Sequence, residues 1–324
     1  MGFISVEGRY GTTARRKSTQ MPLVLDHTSA LERIAALRRS PCAGTGSIVM
    51  VDPAAFDIRW AINAHMRTSD GALHTVDVQR ARSEWQSLRR AYEALGYPVR
   101  VMPATMGLCD QVFAANPAFP FSDPKDGACA VVLSRMRHAE RAAEPELLGA
   151  FLNALGIRVV RSSASVSFEG TGDLVSVPGQ RLLLGGMGPR SDRPALEEAA
   201  AMAASDLVLL RLADPRYYHL DTCIAVLDPR TALWVPEAFA TEEQRWLGAL
   251  FPRLIAVPEN EGEQALAANA HCPDGRHVLI DANAQATMAV LKREGYVPIP
   301  IATGEFRKSG GSVFCLKLAL PSPA

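Results

Sequence analysis

The sequence predicts an α/β fold whose units repeat and close like a propeller. Three observations predict it. Helical patterns recur roughly every 40 to 55 residues along the 324-residue chain. Several short apolar runs separate successive helices, a surplus of strands over helices. A doubly wound sheet, the competing architecture, calls for mostly one strand per helix and a glycine-rich first turn, and no G-x-G-x-x-G is present. No linker is long or polar enough to divide the chain. Residues 1–40 therefore read as an arm and leading segment, and 41–324 as one domain.

The elements follow in order. Residues 47–51 read as a strand. Residues 77–95 read as a helix, because Trp85, Leu88, Tyr92 and Leu95 fall at helical spacing and Gly96 stops it. A strand follows at 99–102. The unit returns as a strand at 129–133, a helix over 140–155 ended by Gly156, and strands at 157–160 and 181–184. Pro194 suits the first turn of a helix over 194–204. Strands at 207–210, 223–227 and 232–235 precede a helix over 241–250 and a strand at 254–257. A shorter helix near 261–268 leads to a strand at 277–280. A helix over 284–294 ends at Gly295, and strands at 297–301 and 312–318 complete the series.

Composition narrows the function. The chain is 48% hydrophobic, enough for a large core, and its 34 basic residues balance 34 acidic ones. Nothing marks a nucleic-acid or anionic-membrane surface. No apolar run approaches the ~18 residues of a membrane span. The first residues lack a charged region followed by an apolar one, so no secretory signal is expected. Six cysteines without a CxxC pair suggest a reducing, cytoplasmic setting rather than a disulfide scaffold. The polar, basic stretch 7–20 reads as a loose arm.

Several side chains can carry chemistry. Cys315 follows Lys308-Ser309-Gly310-Gly311; a buried cysteine is ordinarily a small hydrophobe, but glycines allow close approach to a ligand. His219 and Asp221 would share a face if their stretch is extended, placing an imidazole beside a carboxylate. Cys223 continues that alternation, but no second pair has zinc-like spacing, so no metal is expected. Glu169 and Asp173 sit in a glycine-broken segment, either as turn residues or as carboxylates for a cation. Asp110 has the same two readings, and a guanidinium favours carboxylate partners. Arg135, Arg137 and Arg190 are surface charges or clamps for a ligand carboxylate. There is no Walker motif, G-x-S-x-G or H-E-x-x-H.

Four segments together resemble the guanidino-group-modifying enzymes, which include arginine deiminases, dimethylarginine dimethylaminohydrolases, amidinotransferases and arginine dihydrolases. They are Asp110-Gln111-Val112-Phe113-Ala114-Ala115-Asn116, Phe168-Glu169-Gly170-Thr171-Gly172-Asp173, Tyr218-His219-Leu220-Asp221-Thr222, and Glu305-Phe306-Arg307-Lys308-Ser309-Gly310-Gly311 through Cys315. They lie in the family's order. The resemblance implies a five-module α/β propeller, the pentein fold, of ββαβ repeats around a central active site. It implies Cys315 as nucleophile, His219 as general acid and base, and Glu169 as the carboxylate contacting both histidine and substrate. Asp110 and Asp221 would grip the guanidinium, and Arg135 and Arg190 the substrate's carboxylate.

Asn116 departs from the aspartate most deiminases and methylarginine hydrolases carry, and Ala115 from the glutamate often found before it in the latter. Phe-x-x-Asn, with Phe56-Asp57-Ile58 and Ile62-Asn63-x-x-Met66, resembles the arginine dihydrolase branch; Asn63 is accordingly a candidate substrate contact. The implied reaction is hydrolysis of L-arginine to ornithine, ammonia and carbon dioxide through a covalent thiouronium. Asn116 could donate a hydrogen bond to a ureido oxygen, which an ionised aspartate would repel. The chemistry needs no cofactor and no metal. The expected partner is a small guanidine substrate; a homo-oligomer is compatible. The alternatives are a single-step hydrolase forming citrulline, an amidinotransferase, and a non-catalytic binding protein on the same fold.

Overall fold

The computed structural model describes residues 21–29, 31–37 and 40–322. The stretch 7–20, expected as a loose arm, lies outside the described residues. Strand β1 (Val24–Leu25) comes first and is used later in the chain. Five sheets then follow one another. The first holds β2 (Thr45–Val51), α1 (Val78–Ala94) and β3 (Val99–Met102). The second holds β4 (Ala118–Ser122), β5 (Cys129–Leu133), α2 (Glu144–Ala154) and β6 (Arg158–Arg161).

A single turn, α3 (Gly170–Asp173), opens the third, with β7 (Leu174–Ser176), β8 (Leu182–Met187), α4 (Arg193–Met202) and β9 (Asp206–Arg211). The fourth holds β10 (Ile224–Asp228), β11 (Thr231–Trp234), α5 (Thr241–Leu250) and β12 (Arg253–Ala256). After α6 (Glu259–Gln264), the fifth holds β13 (His277–Asp281), α7 (Gln285–Arg293) and β14 (Val297–Ile301). Then come α8 (Gly304–Arg307) and β15 (Leu318–Pro321).

The pairing rule repeats. In the second, third and fourth sheets an antiparallel hairpin is followed by a helical crossover to a parallel strand. In the fifth, the antiparallel partner of β13 shrinks to a bridge between His271 and Leu279. In the first, β15 is that antiparallel partner, pairing with β2. The ring of ββαβ modules is therefore closed by residues 318–321. β1 extends the third sheet beside β9.

Helices α1, α2, α4 and α7 stop in the same way. After α1, α2 and α7, Gly96, Gly156 and Gly295 take φ of 86°, 79° and 90°. The next amide returns to the third-last helical carbonyl: Tyr97 to Tyr92, Ile157 to Leu152, Tyr296 to Leu291. This is the Schellman closure that a left-handed residue permits. After α4 the same bond, Ser205 to Ala200, is made with Ala204 at φ 47°.

Two expectations need correction. The apolar run 312–318 is not one strand: residues 313–316 form turns and β15 starts at Leu318. The Asn269 Oδ1 accepts from the amides of Ser312, Phe314 and Cys315, which a ladder would otherwise use. The short strands β1, β4 and β7 form in stretches where the sequence pattern predicts none. In β4, Pro120 lacks an N–H, which is tolerable because β4 pairs with β5 only.

Candidate active site

The four motifs meet because their glycines let backbones touch. Gly170 (φ 53°) lies so close to the Ala115, Asn116 and Ala118 carbonyls that a Cβ there would come within 2.5–2.7 Å of them. A Cβ on Gly172 would sit 2.6 Å from the Asn116 Nδ2 and 3.3 Å from the His219 ring. Thr171 fastens the contact, donating from N and Oγ1 to the Ala115 carbonyl at 2.9 and 2.8 Å. Gly310 (φ 85°) and Gly311 pass under Tyr218 and Phe113 in the same manner.

Cys315, His219, Glu169, Asp110, Asn116, Asp221 and Arg190 are all at most 2% exposed. Cys315 Sγ donates to Asp221 Oδ2 at 3.2 Å and accepts from Asn269 Nδ2 at 3.2 Å. Burial, and then the Asp221 charge, push its thiol well above the usual cysteine range. Burial likewise raises the Asp221 carboxyl to about 7, opposed by its bond to Cys315 and the charge of Lys317. The free site thus holds the Cys315 sulfur as a thiol beside a carboxyl poised near neutrality.

His219 faces Glu169, with Nε2 2.8 Å from Oε2. Glu169 Oε2 also accepts from Arg190 at 3.0 Å, and Oε1 from the Arg137 amide at 2.9 Å. Burial works to raise the Glu169 carboxyl. The bond and charge of His219 and the charges of Arg190 and Arg141 outweigh it and hold the group well below the carboxylate range. Asp173 braces the far side: its Oδ2 accepts from Ser191 at 2.6 Å and its Oδ1 from the Leu220 amide at 3.1 Å. Burial raises its carboxyl to about 6.

The remaining candidates divide. Asp110 accepts from the Trp60 indole at 2.8 Å and from Ser309 Oγ at 3.2 Å. Arg190 also donates to the Ile62 carbonyl at 2.8 Å and stacks on the Tyr218 ring. Asn63 spends its amide on the protein, donating to the Ser309 carbonyl and accepting from the His65 amide. Arg135 is exposed, with no side-chain partner among the described residues; its backbone bridges Phe168 and so anchors Glu169. Residues 220–222 form a turn rather than an extended stretch, which swings Cys223 Sγ onto the Leu220 carbonyl at 3.3 Å. Among the described residues no group of His, Cys, Asp and Glu is arranged to hold a metal ion.

Among the buried side-chain polar atoms that lack a hydrogen-bond partner in the described residues, Asp221 Oδ1 and Asn116 Nδ2 belong to candidate residues of this site. One is an acceptor and the other a donor. The Asn116 amide is oriented by Arg141, whose Nη1 donates to Oδ1 at 2.9 Å and whose other nitrogens grip Glu144. Arg141, Asn269, Trp60 and Tyr218 build the site but were not singled out from the sequence. Tyr218 opens one of the four motif segments, but Arg141, Asn269 and Trp60 lie in none of them. Asn269 reaches its partners 43 to 46 residues away.

A family model described as N,N dimethylarginine dimethylhydrolase, eukaryotic, matches residues 52–320. The chain belongs to that family. It is 37% identical to an N(G),N(G)-dimethylarginine dimethylaminohydrolase of Mycobacterium tuberculosis, over 87% of this chain and 88% of the relative. It is 29% identical to the bifunctional arginine dihydrolase/ornithine cyclodeaminase ArgZ of Synechocystis, over 85% of this chain but 38% of that longer protein. Its fold superposes on the N-terminal domain of ArgZ with TM-score 0.78 at 28% identity, over 86% of this chain and 98% of the domain. That domain has been solved bound to substrate and covalently bound to a reaction intermediate. Family membership makes this protein a cysteine-dependent hydrolase of a guanidino C–N bond on the pentein propeller.

Proposed function

We propose that the protein is an L-arginine dihydrolase. In this reading the substrate guanidinium lies between Asp221 and Asp110, with Asp221 Oδ1 accepting an N–H. Arg190, and with it Arg135 and Asn63, face the substrate's amino-acid end. The cation offsets the charge that disfavours thiolate, so Cys315 ionises when substrate is present. Sulfur attacks the guanidinium carbon. His219, held by Glu169, protonates the departing ammonia and then takes a proton from the water that displaces sulfur. The product is citrulline.

A second cycle replaces the ureido nitrogen through a thiocarbamate, whose hydrolysis releases a carbamate. Together the cycles consume two waters and yield ornithine, carbon dioxide and two ammonia molecules. The observation carrying this reading is Asn116: its Nδ2 is buried, oriented and unpartnered beside His219. A ureido oxygen can accept from it, and leaving a buried donor unmet costs about 1–3 kcal/mol. The second reading, hydrolysis of a methylated arginine to citrulline, is favoured by the family match. Turnover of guanidine-carbon-labelled L-arginine followed by NMR separates them. Label in carbon dioxide supports the dihydrolase. Label halted in citrulline refutes the second cycle, and turnover of only the methylated substrate favours the second reading.

A further inference from the structure

The largest buried cation outside the guanidino site is Lys317, 1% exposed. Its Nζ stands 3.1 Å from the centroid of the Phe314 ring. It has no hydrogen-bond acceptor and no ion-pair partner among the described residues. An ammonium buried this way ordinarily requires both. Lys317 lines a cavity of about 170 Å³ whose walls are mainly apolar, among them Phe119, Phe121, Val226 and Ala319. The lining includes neither Cys315, His219, Glu169 nor Asp221. The cavity is smaller than the ~300–1,000 Å³ of pockets for drug-sized ligands.

We propose that this cavity is a second binding site, for a short aliphatic monocarboxylate whose anionic head meets the Lys317 ammonium and whose tail lies against the aromatic and aliphatic walls. Charge complementarity selects the carboxylate; among the described lining residues Lys317 is the one fully buried ammonium, while the half-buried Arg181 is engaged by the Ala203 carbonyl, and this selects one negative charge. Other charged groups bear on Lys317. Asp221 and Cys315 lie on the catalytic side. His271 lines the cavity, is bonded through Nδ1 to the Tyr92 hydroxyl, and is kept neutral by burial and the Lys317 charge. Arg181 also lines it, tied to the Ala203 carbonyl.

Burial lowers the Lys317 ammonium to about 7, with Asp221 and Cys315 opposing the fall. A carboxylate binds the protonated form. Affinity is therefore level below that value and falls by up to about tenfold per pH unit above it.

The test is calorimetric titration of the whole protein with hexanoate, at about pH 6 and about pH 8.5, with hexan-1-ol as neutral control. The expected result is one-to-one hexanoate binding at the lower pH, at least tenfold weaker at the higher. Lys317→Met should abolish it. Ala319→Phe fills the cavity while leaving Lys317 in place, and should abolish it too. Binding to Cys315→Ala should persist in saturating arginine and in saturating dimethylarginine, which separates this site from the catalytic one under either reading of the substrate. Equal affinity at both pH values, equal binding to either cavity variant, competition by arginine, or no binding at millimolar hexanoate would each overturn the proposal.

Discussion

Asp221→Asn should make the protein more stable and less active. The carboxyl is fully buried and its value is raised from 3.8 to about 7 by burial. A carboxyl raised on folding costs stability above its folded value, and that cost vanishes below the unfolded one. Removing the charge should therefore stabilise the free protein by about 2–4 kcal/mol at pH 8, and the gain should fade as pH drops through 7 toward 3.8. The same change removes a charged acceptor from the substrate. Losing a charge-assisted bond of about 1.5–3 kcal/mol lowers kcat/KM roughly 10- to 150-fold. A third readout moves the other way: alkylation of Cys315 should quicken, because the Asp221 charge is one of the forces keeping its thiol protonated. Urea unfolding across pH, steady-state kinetics and timed iodoacetamide labelling measure the three. No stability gain at pH 8, or turnover retained with unchanged labelling, would refute the account of a carboxylate kept charged for the substrate.

Other expectations follow from the same geometry. Cys315→Ala should abolish turnover with the circular dichroism of the fold intact. Asn116→Asp should raise citrulline release relative to ornithine at saturating arginine, read from product ratios by NMR. In the proposed function Asp221 holds the guanidinium as an ionised carboxylate, so kcat/KM should rise through about pH 7 and level above it. Asn269→Ala leaves three amides around Cys315 without their acceptor and should destabilise by roughly 2–5 kcal/mol in urea unfolding. Ala204→Gly, at a left-handed position, should stabilise by about 1 kcal/mol.

Much of this molecule is legible in its sequence because the relevant forces are local. Gly96, Gly156 and Gly295 mark helix ends by backbone conformation alone, and α5 occupies the predicted 241–250. The motif segments were legible because their glycines and carboxylates are neighbours in the chain. What escaped depends on distant partners. Asn269 sits among alanines and turns an apparently strand-like run into the loop that presents Cys315. Arg141 reads as one more basic residue until Glu144, Asn116 and the Asp110 carbonyl surround it. The bond from the Asn63 amide to the Ser309 carbonyl, 246 residues on, is equally invisible in the sequence.

The pairing of β15 with β2 has a consequence for synthesis. Cys315 lies three residues ahead of the strand that closes the ring, and its partner strand is made some 270 residues earlier. A ribosome-bound chain can assemble four sheets, with His219, Glu169, Asp110 and Asp221, while still lacking Cys315. Cys315 and the closure then arrive together. Ring closure and the seating of Cys315 against Asp221 and Asn269 are thus one late event in the making of the fold.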